Sequence, residues 1–324
     1  MDQLSQLSVT VVNKVEEAID IVSFELASLD GQPLPAFSAG AHIDVHIGEG
    51  LIRQYSLCND PSEQHRYLIG VLRDPNSRGG SVAIHDQVKV GATLQISVPR
   101  NHFVLTQAKR TLLFAGGIGV TPILCMAERL AQIDADFEMH YCTRAVERTA
   151  FHARIAASSF SPKVQFHFDS GAPEQKLDLA TLIATPDPDT HLYVCGPGGF
   201  IEHVLSNAKS LGWAIEQVHF EYFDAPAEGT QDTSSDALFE IKIASTGKVY
   251  MVPPDQTVTR LLAEHGIDIP VSCEQGVCGT CITRVLQGTP DHRDLYFTDE
   301  EHGRNDQFTP CCSRSKSPLL VLDI

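Results

Sequence analysis

Residues 273–281 read Cys273-Glu274-Gln275-Gly276-Val277-Cys278-Gly279-Thr280-Cys281. Three thiols fall on one short stretch, spaced C-x4-C-x2-C, and a fourth, Cys311, comes after 29 intervening residues. Three thiolates on one loop and a fourth from a distant segment can surround a small inorganic centre. Gly276 and Gly279 stand between the thiols, and glycine lets a backbone curl tightly enough to aim N–H groups at sulfur. The chain has nine cysteines. Cys58, Cys125, Cys142 and Cys195 are scattered among apolar neighbours, where a free cysteine packs as a small hydrophobe. An odd count without a secretion signal argues against a disulfide framework.

The C-x4-C-x2-C…C spacing is the plant-type ferredoxin pattern for a 2Fe-2S cluster, with Cys273, Cys278, Cys281 and Cys311 as the metal ligands. Structural zinc is the competing choice. It usually uses paired C-x2-C knuckles or histidines. Here only Cys278 and Cys281 form such a pair, and Cys311 and Cys312 are adjacent. Two neighbouring residues rarely ligate one small cluster together; the 29-residue spacing to Cys311 resembles the pattern of iron–sulfur reductases, which implies Cys311 as the ligand and Cys312 as packing.

The 324 residues suggest two or three domains. Lys and Arg total 24 against 41 Asp and Glu, a net charge of −17. That excludes a general nucleic-acid binder, which must neutralise phosphates. At 43% hydrophobic residues the composition is that of a folded chain. No apolar run approaches a membrane span. The start, MDQLSQLSVTVVNKVEEAID, shows no basic end followed by an apolar stretch, so no signal peptide is expected. The expected location is the cytoplasm.

Upstream, the texture changes twice. Residues 1–105 carry short β-rich runs (VTVVNKVEEA, IVSFELASL, HIDVHIG, RQYSLCND, RYLIGVLRD and ATLQISVP) separated by turn residues, which points to an antiparallel barrel or sandwich. Residues 106–228 alternate strand-like runs (TLLFAGG, FEMHYCTR, VQFHFDSG, HLYVCGPGG) with helix-like ones (TPILCMAERLAQI, VERTAFHARIAAS, FIEHVLSNAKSLGW). That alternation indicates a parallel sheet faced by helices. The stretch APAEGTQDTSSD is linker in composition, and residues 229–236 are assigned as the linker. Residues 237–324 open with a hairpin, FEIKIASTGKVYMVP, then the helical VTRLLAEHG and the cysteine loop. These last residues hold 12 acidic and 8 basic side chains.

Four further motifs carry chemistry. In TLLFAGGIGVTPIL, Gly116, Gly117 and Gly119 lie between a buried-looking strand and a helix start, where a dinucleotide can approach. It is not the G-x-G-x-x-G fingerprint, and alone it fits a plain β–α turn as well. HLYVCGPGGF ends a second strand in Cys195-Gly196-Pro197-Gly198, so two glycine-bearing strand tips can form the sides of one crevice. On the strand Arg53-Gln54-Tyr55-Ser56-Leu57, alternation puts Arg53, Tyr55 and Leu57 on one face and Gln54 and Ser56 on the other. An aromatic, a cation and a hydroxyl suit a flavin, although the pentapeptide by itself also fits an ordinary amphipathic strand. Arg78-Gly79-Gly80-Ser81 before the helical VAIHDQV combines a cation, a hydroxyl and open N–H groups, an anion site or a surface turn.

Taken together, RQYSL, RGGS, GGIGVTP, CGPGG and CEQGVCGTC…C resemble the ferredoxin–NADP reductase superfamily. The order of the motifs resembles the phthalate dioxygenase reductase family within it. The resemblance runs over essentially the whole chain. It implies a flavin-binding antiparallel β-barrel, a parallel-sheet α/β nucleotide domain and a C-terminal β-grasp ferredoxin domain. The implied cofactors are FMN, NADH and the 2Fe-2S cluster. By motif position, Arg53, Gln54, Tyr55 and Ser56 would line the flavin, with Ser56 near its reactive nitrogen. Arg78, Gly79, Gly80 and Ser81 would hold its phosphate. Gly116, Gly117, Gly119, Thr121 and Pro122 would meet the nicotinamide nucleotide, with Thr121 also near the flavin. Cys195, Gly196 and Pro197 would flank the nicotinamide, and Phe223 would be an aromatic at the flavin edge. Arg144 and Asp169 follow strands where adenosine contacts would fall, although a solvated loop charge also fits each. Ser56, Thr121 and Cys195 would then sit at the hydride path.

The implied partner is a Rieske-type terminal oxygenase that takes electrons one at a time, with the reductase working as a monomer. The acidic ferredoxin segment would steer onto a basic patch of that partner. The alternative is a stand-alone NADH-dependent flavin or quinone reductase, for which a one-electron relay is superfluous.

Overall fold

The structure, a computed structural model, describes residues 6–48, 51–74, 79–223 and 237–324. The chain divides into two compact units, Met1–Tyr222 and Phe223–Ile324. The stretch 229–236, expected as linker, lies outside the described residues.

The first unit begins with β1 (Gln6–Ala18), β2 (Ile21–Ser28), β3 (Ala41–His46), β4 (Ile52–Ser56) and β5 (Tyr67–Leu72). The helix α1 (Gly80–Gln87) follows, then β6 (Thr93–Ser97) and β7 (Arg100–Asn101). The sheet runs β4-β3-β6-β1-β2-β5, with β7 paired to β3. Every pairing is antiparallel. An antiparallel bridge from Leu57 to Ile69 joins the two ends and closes a barrel. Period-two alternation fills it: Val9 and Val11, Phe24 and Leu26, Ile43 and Val45, Leu94 and Ile96 all point inward.

Next come β8 (Arg110–Gly116), α2 (Val120–Gln132), β9 (Asp136–Thr143), α3 (His152–Ala156) and β10 (Val164–Phe168). They are followed by α4 (Leu179–Leu182), β11 (Thr190–Cys195), α5 (Gly198–Leu211) and β12 (Val218–Glu221). The five strands are parallel and ordered β10-β9-β8-β11-β12. The chain winds outward through β9 and β10, then returns past β8 to β11 and β12. The order therefore reverses between β8 and β11, and the crevice at that switch point is where open α/β sheets bind ligands.

One expected helix differs. VERTAFHARIAAS is a 3-10 turn over Val146–Arg148 and the short α3, separated by Phe151 at φ 57°. Phe151 is buried, and its ring lies against Gly70 of the barrel. Seating that ring breaks the helix.

The second unit holds β13 (Phe239–Ile243), β14 (Val249–Val252), α6 (Val258–Glu264), β15 (Thr283–Gln287) and β16 (Pro290–Asp291). It ends with α7 (Asp299–Arg304), β17 (Gln307–Phe308), β18 (Arg314–Ser315) and β19 (Leu319–Leu322). A mixed sheet, β14-β13-β19-β15-β17, packs Ile241, Leu320 and Leu322 against Leu261 and Leu262 of α6. β13 and β14 form the expected hairpin, turning through Gly247 at φ 72°. No helix among the described residues is long and apolar enough to cross a membrane.

Candidate functional site

In the first unit, strand β4 presents its side chains as alternation requires. Tyr55 packs towards the barrel core, and Gln54, on the other face, donates to Asp44 at 3.3 Å. The Arg53 side chain lies across the start of α1: a Cβ on Gly80 would come within 2.5 Å of its Nε. Gly79 precedes that helix in the left-handed region at φ 84°, no side chain caps the helix start, and open space faces Gly79. A cation beside uncapped N–H groups can cradle a phosphate. Ser81 closes the loop before it, taking the Asp74 N–H at 3.1 Å. Arg78 lies outside the described residues.

Ser56, at the end of β4, donates to Glu221 at 3.5 Å. Glu221 ends β12 and pairs in register with Cys195 at the tip of β11. Desolvation raises its carboxyl to about 8, opposed by the Ser56 hydrogen bond. Glu221 was missed from the sequence; nothing in FEYF marks it. Cys195 is fully buried, and burial pushes its thiol well up, so it presents a neutral sulfur.

The switch-point crevice depends on missing side chains. A Cβ on Gly119 would come within 2.3 Å of the Cys195 carbonyl oxygen and 2.5 Å of the Gly196 nitrogen. A Cβ on Gly196 would meet the Gly116 Cα at 2.9 Å. Gly117 adopts φ 53°. The tips of β8 and β11 and the start of α2 thus converge, with Pro197 and the Phe200 ring beside Gly116. Neither α2 nor α5 has a side-chain cap at its N-terminus. Thr121 and Pro122 are both buried in the first turn of α2. The Thr121 hydroxyl donates to the Ile118 carbonyl at 3.1 Å, and its methyl faces Gly70 on β5. The α/β layer therefore meets the barrel at Gly70. Arg144 and Asp169 are both exposed, directly after β9 and β10, and the loops carrying them are joined by the Ser170 N–H to the Arg144 carbonyl at 3.0 Å. Phe223 stands at the first position of the second unit.

In the second unit the four expected ligands converge. The Cys273 thiol is within hydrogen-bond reach of Cys278 and Cys311, and Cys311 reaches Cys281. Cys278, Cys281 and Cys311 are buried. The loop curls as its glycines allow, with Gly276 at φ 74° and Gly279 at φ 68°. Its N–H groups aim at sulfur: Cys273 donates to the Cys278 Sγ at 3.5 Å and Gln275 to the Cys273 Sγ at 3.4 Å. The Cys273 thiol and burial together push the Cys278 thiol up. Thiolates this close repel unless a cation lies among them, so the donor set fits an iron–sulfur centre. Cys312 touches this group as well, within reach of the Cys311 thiol.

Comparison with known proteins agrees with this geometry. A family described as the 2Fe-2S iron-sulfur cluster binding domain matches residues 241–316. The chain is 58% identical to a vanillate O-demethylase oxidoreductase of Pseudomonas putida, over 98% of this chain and 100% of that protein. It is 49% identical to a vanillate O-demethylase oxidoreductase of Acinetobacter baylyi, over 97% of this chain and 98% of that one. Among solved structures, phthalate dioxygenase reductase, described as a modular structure for electron transfer from pyridine nucleotides to [2Fe-2S], superposes with a TM-score of 0.75 at 37% identity. That match covers 99% of this chain and 98% of the other. Matched over essentially its full length, the protein belongs to the phthalate dioxygenase reductase family.

Proposed function

We propose that this chain is the cytoplasmic, monomeric reductase of a two-component Rieske-type oxygenase that demethylates or oxygenates an aromatic acid of the vanillate class. As an oxidoreductase it carries electrons from NADH through FMN and a 2Fe-2S cluster to a terminal oxygenase. One observation carries the reading. A single chain builds a glycine-walled crevice at a sheet switch point, next to an anion cradle, and a four-thiol site on a separate unit. When bound, FMN accepts a hydride from NADH and the cluster takes up electrons singly.

The chain's own residues position these groups. Arg53 and the N–H groups from Gly79 to Ser81 hold the FMN phosphate, and the RGGS motif assigns Arg78 to the same phosphate. Gln54, Tyr55 and Ser56 line the ring, and Ser56 offers its hydroxyl at the reactive nitrogen while Glu221 holds that hydroxyl in place. Gly116, Gly117 and Gly119 admit the nicotinamide nucleotide, Thr121 and Pro122 fix the helix start beneath it, and Cys195, Gly196 and Pro197 form its far wall. Arg144 and Asp169 take the adenosine end, and Phe223 packs at the flavin edge. Cys273, Cys278, Cys281 and Cys311 hold the iron.

The test mixes the purified chain with NADH, a purified Rieske-type vanillate demethylase oxygenase and vanillate. Formaldehyde release that needs all four components is the expected result. Full NADH turnover on a soluble quinone, with none through the oxygenase, would establish the stand-alone reductase instead. Chromatography of the released flavin separates FMN from FAD.

A further inference from the structure

We propose that Cys312, the thiol left over from the ligand set, is a positioning residue that donates a hydrogen bond to the sulfur of Cys311 and raises the reduction potential of the cluster. The proposal rests on the four-thiol site holding iron.

Cys312 is not simply filling space. Its sulfur lies where a Cβ on Gly276 would be, 2.5 Å from that position, so it is wedged between the ligand loop and the Cys311 segment. Its neighbours hold it there. The Thr309 hydroxyl lies 3.3 Å from its sulfur and the Ser313 hydroxyl 3.8 Å. These two hydroxyls are 3.0 Å apart.

Ser313 in turn donates to Asp294 at 3.4 Å and receives the Arg293 N–H at 3.1 Å. Asp294 is the anchor of the arrangement. It is buried, accepts the Phe297 N–H at 2.9 Å, and lies 3.1 Å from Nε2 of His302. Its backbone abuts Gly276, and the next residue, Leu295, donates to the Gly276 carbonyl at 3.0 Å. Asp294 therefore ties the segment carrying Cys311 to α7 through its carboxylate, and reaches the ligand loop through its backbone and that of Leu295. His292, Asp294 and His302 bring three possible metal-binding atoms within 4.8 Å of one another. The two imidazoles, however, stack with centroids 4.3 Å apart and planes 27° apart. Their in-plane lone pairs then run side by side rather than to one point, so the trio anchors rather than chelates.

Among the described residues the Cys312 thiol reaches one carbonyl, that of Thr309, at 3.7 Å, a long contact. Cys311 is the adjoining residue, and a thiolate bound to iron there would be a charged acceptor, which draws the shorter, stronger bond. Hydrogen bonds to cluster sulfurs stabilise the reduced, more negative state and so raise the potential.

The experiment titrates the cluster potential of the full holo chain by electron paramagnetic resonance. Cys312→Ala removes the donor, and Cys312→Ser keeps one. The expected result is a more negative potential for Ala, giving a several-fold fall in the reduced-to-oxidised ratio at a fixed poise, with Ser restoring most of it. Asp294→Asn, which loosens the anchor, should shift the potential the same way by less. The proposal is overturned if Ala leaves the potential unchanged, or if Ser shifts it as far as Ala does. Should Ala fail to take up iron, the Ser and Asn variants decide alone, and unchanged potentials in both overturn it. A wild-type chain that binds zinc and no iron overturns both this proposal and the cluster assignment beneath it.

Discussion

The hydroxyl of Ser56, ending a barrel strand, donates at 3.5 Å to the carboxylate of Glu221, ending a strand of the parallel sheet. This bond joins the two layers of the first unit at the place proposed for hydride transfer. Desolvation raises the Glu221 carboxyl from 4.5 to about 8. A carboxyl raised on folding is protonated in the folded chain and ionised in the unfolded one between those values. Its contribution to stability is complete below about pH 4.5 and is lost as pH rises to about 8. In flavin-free protein, wild type should therefore lose stability relative to Glu221→Gln over that range. Melting temperatures of the two proteins from pH 5 to 9 measure it, and parallel curves would contradict the shift.

The crevice makes a steric prediction. Gly119 has φ −60°, so alanine is compatible with its backbone. The added methyl would nevertheless meet Cys195 and Gly196 backbone atoms at 2.3 to 2.5 Å, and a main chain cannot turn aside as a side chain can. Gly119→Ala should cost roughly 1–3 kcal/mol by overpacking and slow bleaching of the flavin by NADH, because α2 must retreat from β11. Gly199→Ala is the control. It lies in α5 with nothing within 4 Å of the new methyl, so it should be neutral or stabilising by about 0.4–1 kcal/mol. Chemical denaturation of both variants checks the contrast, and equal losses would count against the close-approach argument.

How much of this was legible in the sequence depended on how local the cause was. The barrel strands could be read because Val9 and Val11, or Ile43 and Val45, alternate within their own segments. The cluster ligands could be read because three of the four share one loop. The crevice could be read because Gly116 and Gly196 each stand at the end of an apolar run. Glu221 could not, since its partner Ser56 is 165 positions away and its desolvation comes from the packing of two layers. The break at Phe151 was hidden for the same reason: its cause is Gly70, on a strand of the other layer. The surroundings of Cys312 were hidden too, because Gly276, and Asp294 by way of Ser313, reach it only through the fold.

The proposed function divides the labour between the two units, and a ligand substitution should separate the two roles. Cys278 is held in the thiol ring on the second unit, while the crevice and the anion cradle are complete within the first. Cys278→Ala should abolish the ferredoxin-type absorption and electron transfer to a protein acceptor such as cytochrome c. Bleaching of the flavin band by NADH should stay within about twofold of wild type, since losing a ligand on a separate unit removes no group from the hydride site. Stopped-flow absorbance follows both events, and equal loss of both would refute the division.

The surface of the second unit bears on the partner. Residues 237–324 carry 12 acidic and 8 basic side chains, and α7 opens with Asp299, Glu300 and Glu301 in its first turn. Excess negative charge on the electron-delivering unit favours a partner surface of opposite sign, and such steering acts mainly on the rate of encounter. Salt screens it, with a Debye length falling from about 10 Å at 0.1 M to about 3 Å at 1 M. Electron transfer to the oxygenase should therefore slow as salt rises, while reduction of the flavin by NADH within the chain changes far less. Charge reversal of the exposed pair Asp299 and Glu300 to lysine should flatten the salt dependence. A rate of oxygenase reduction that is indifferent to salt in the wild-type chain would rule out electrostatic docking through this unit.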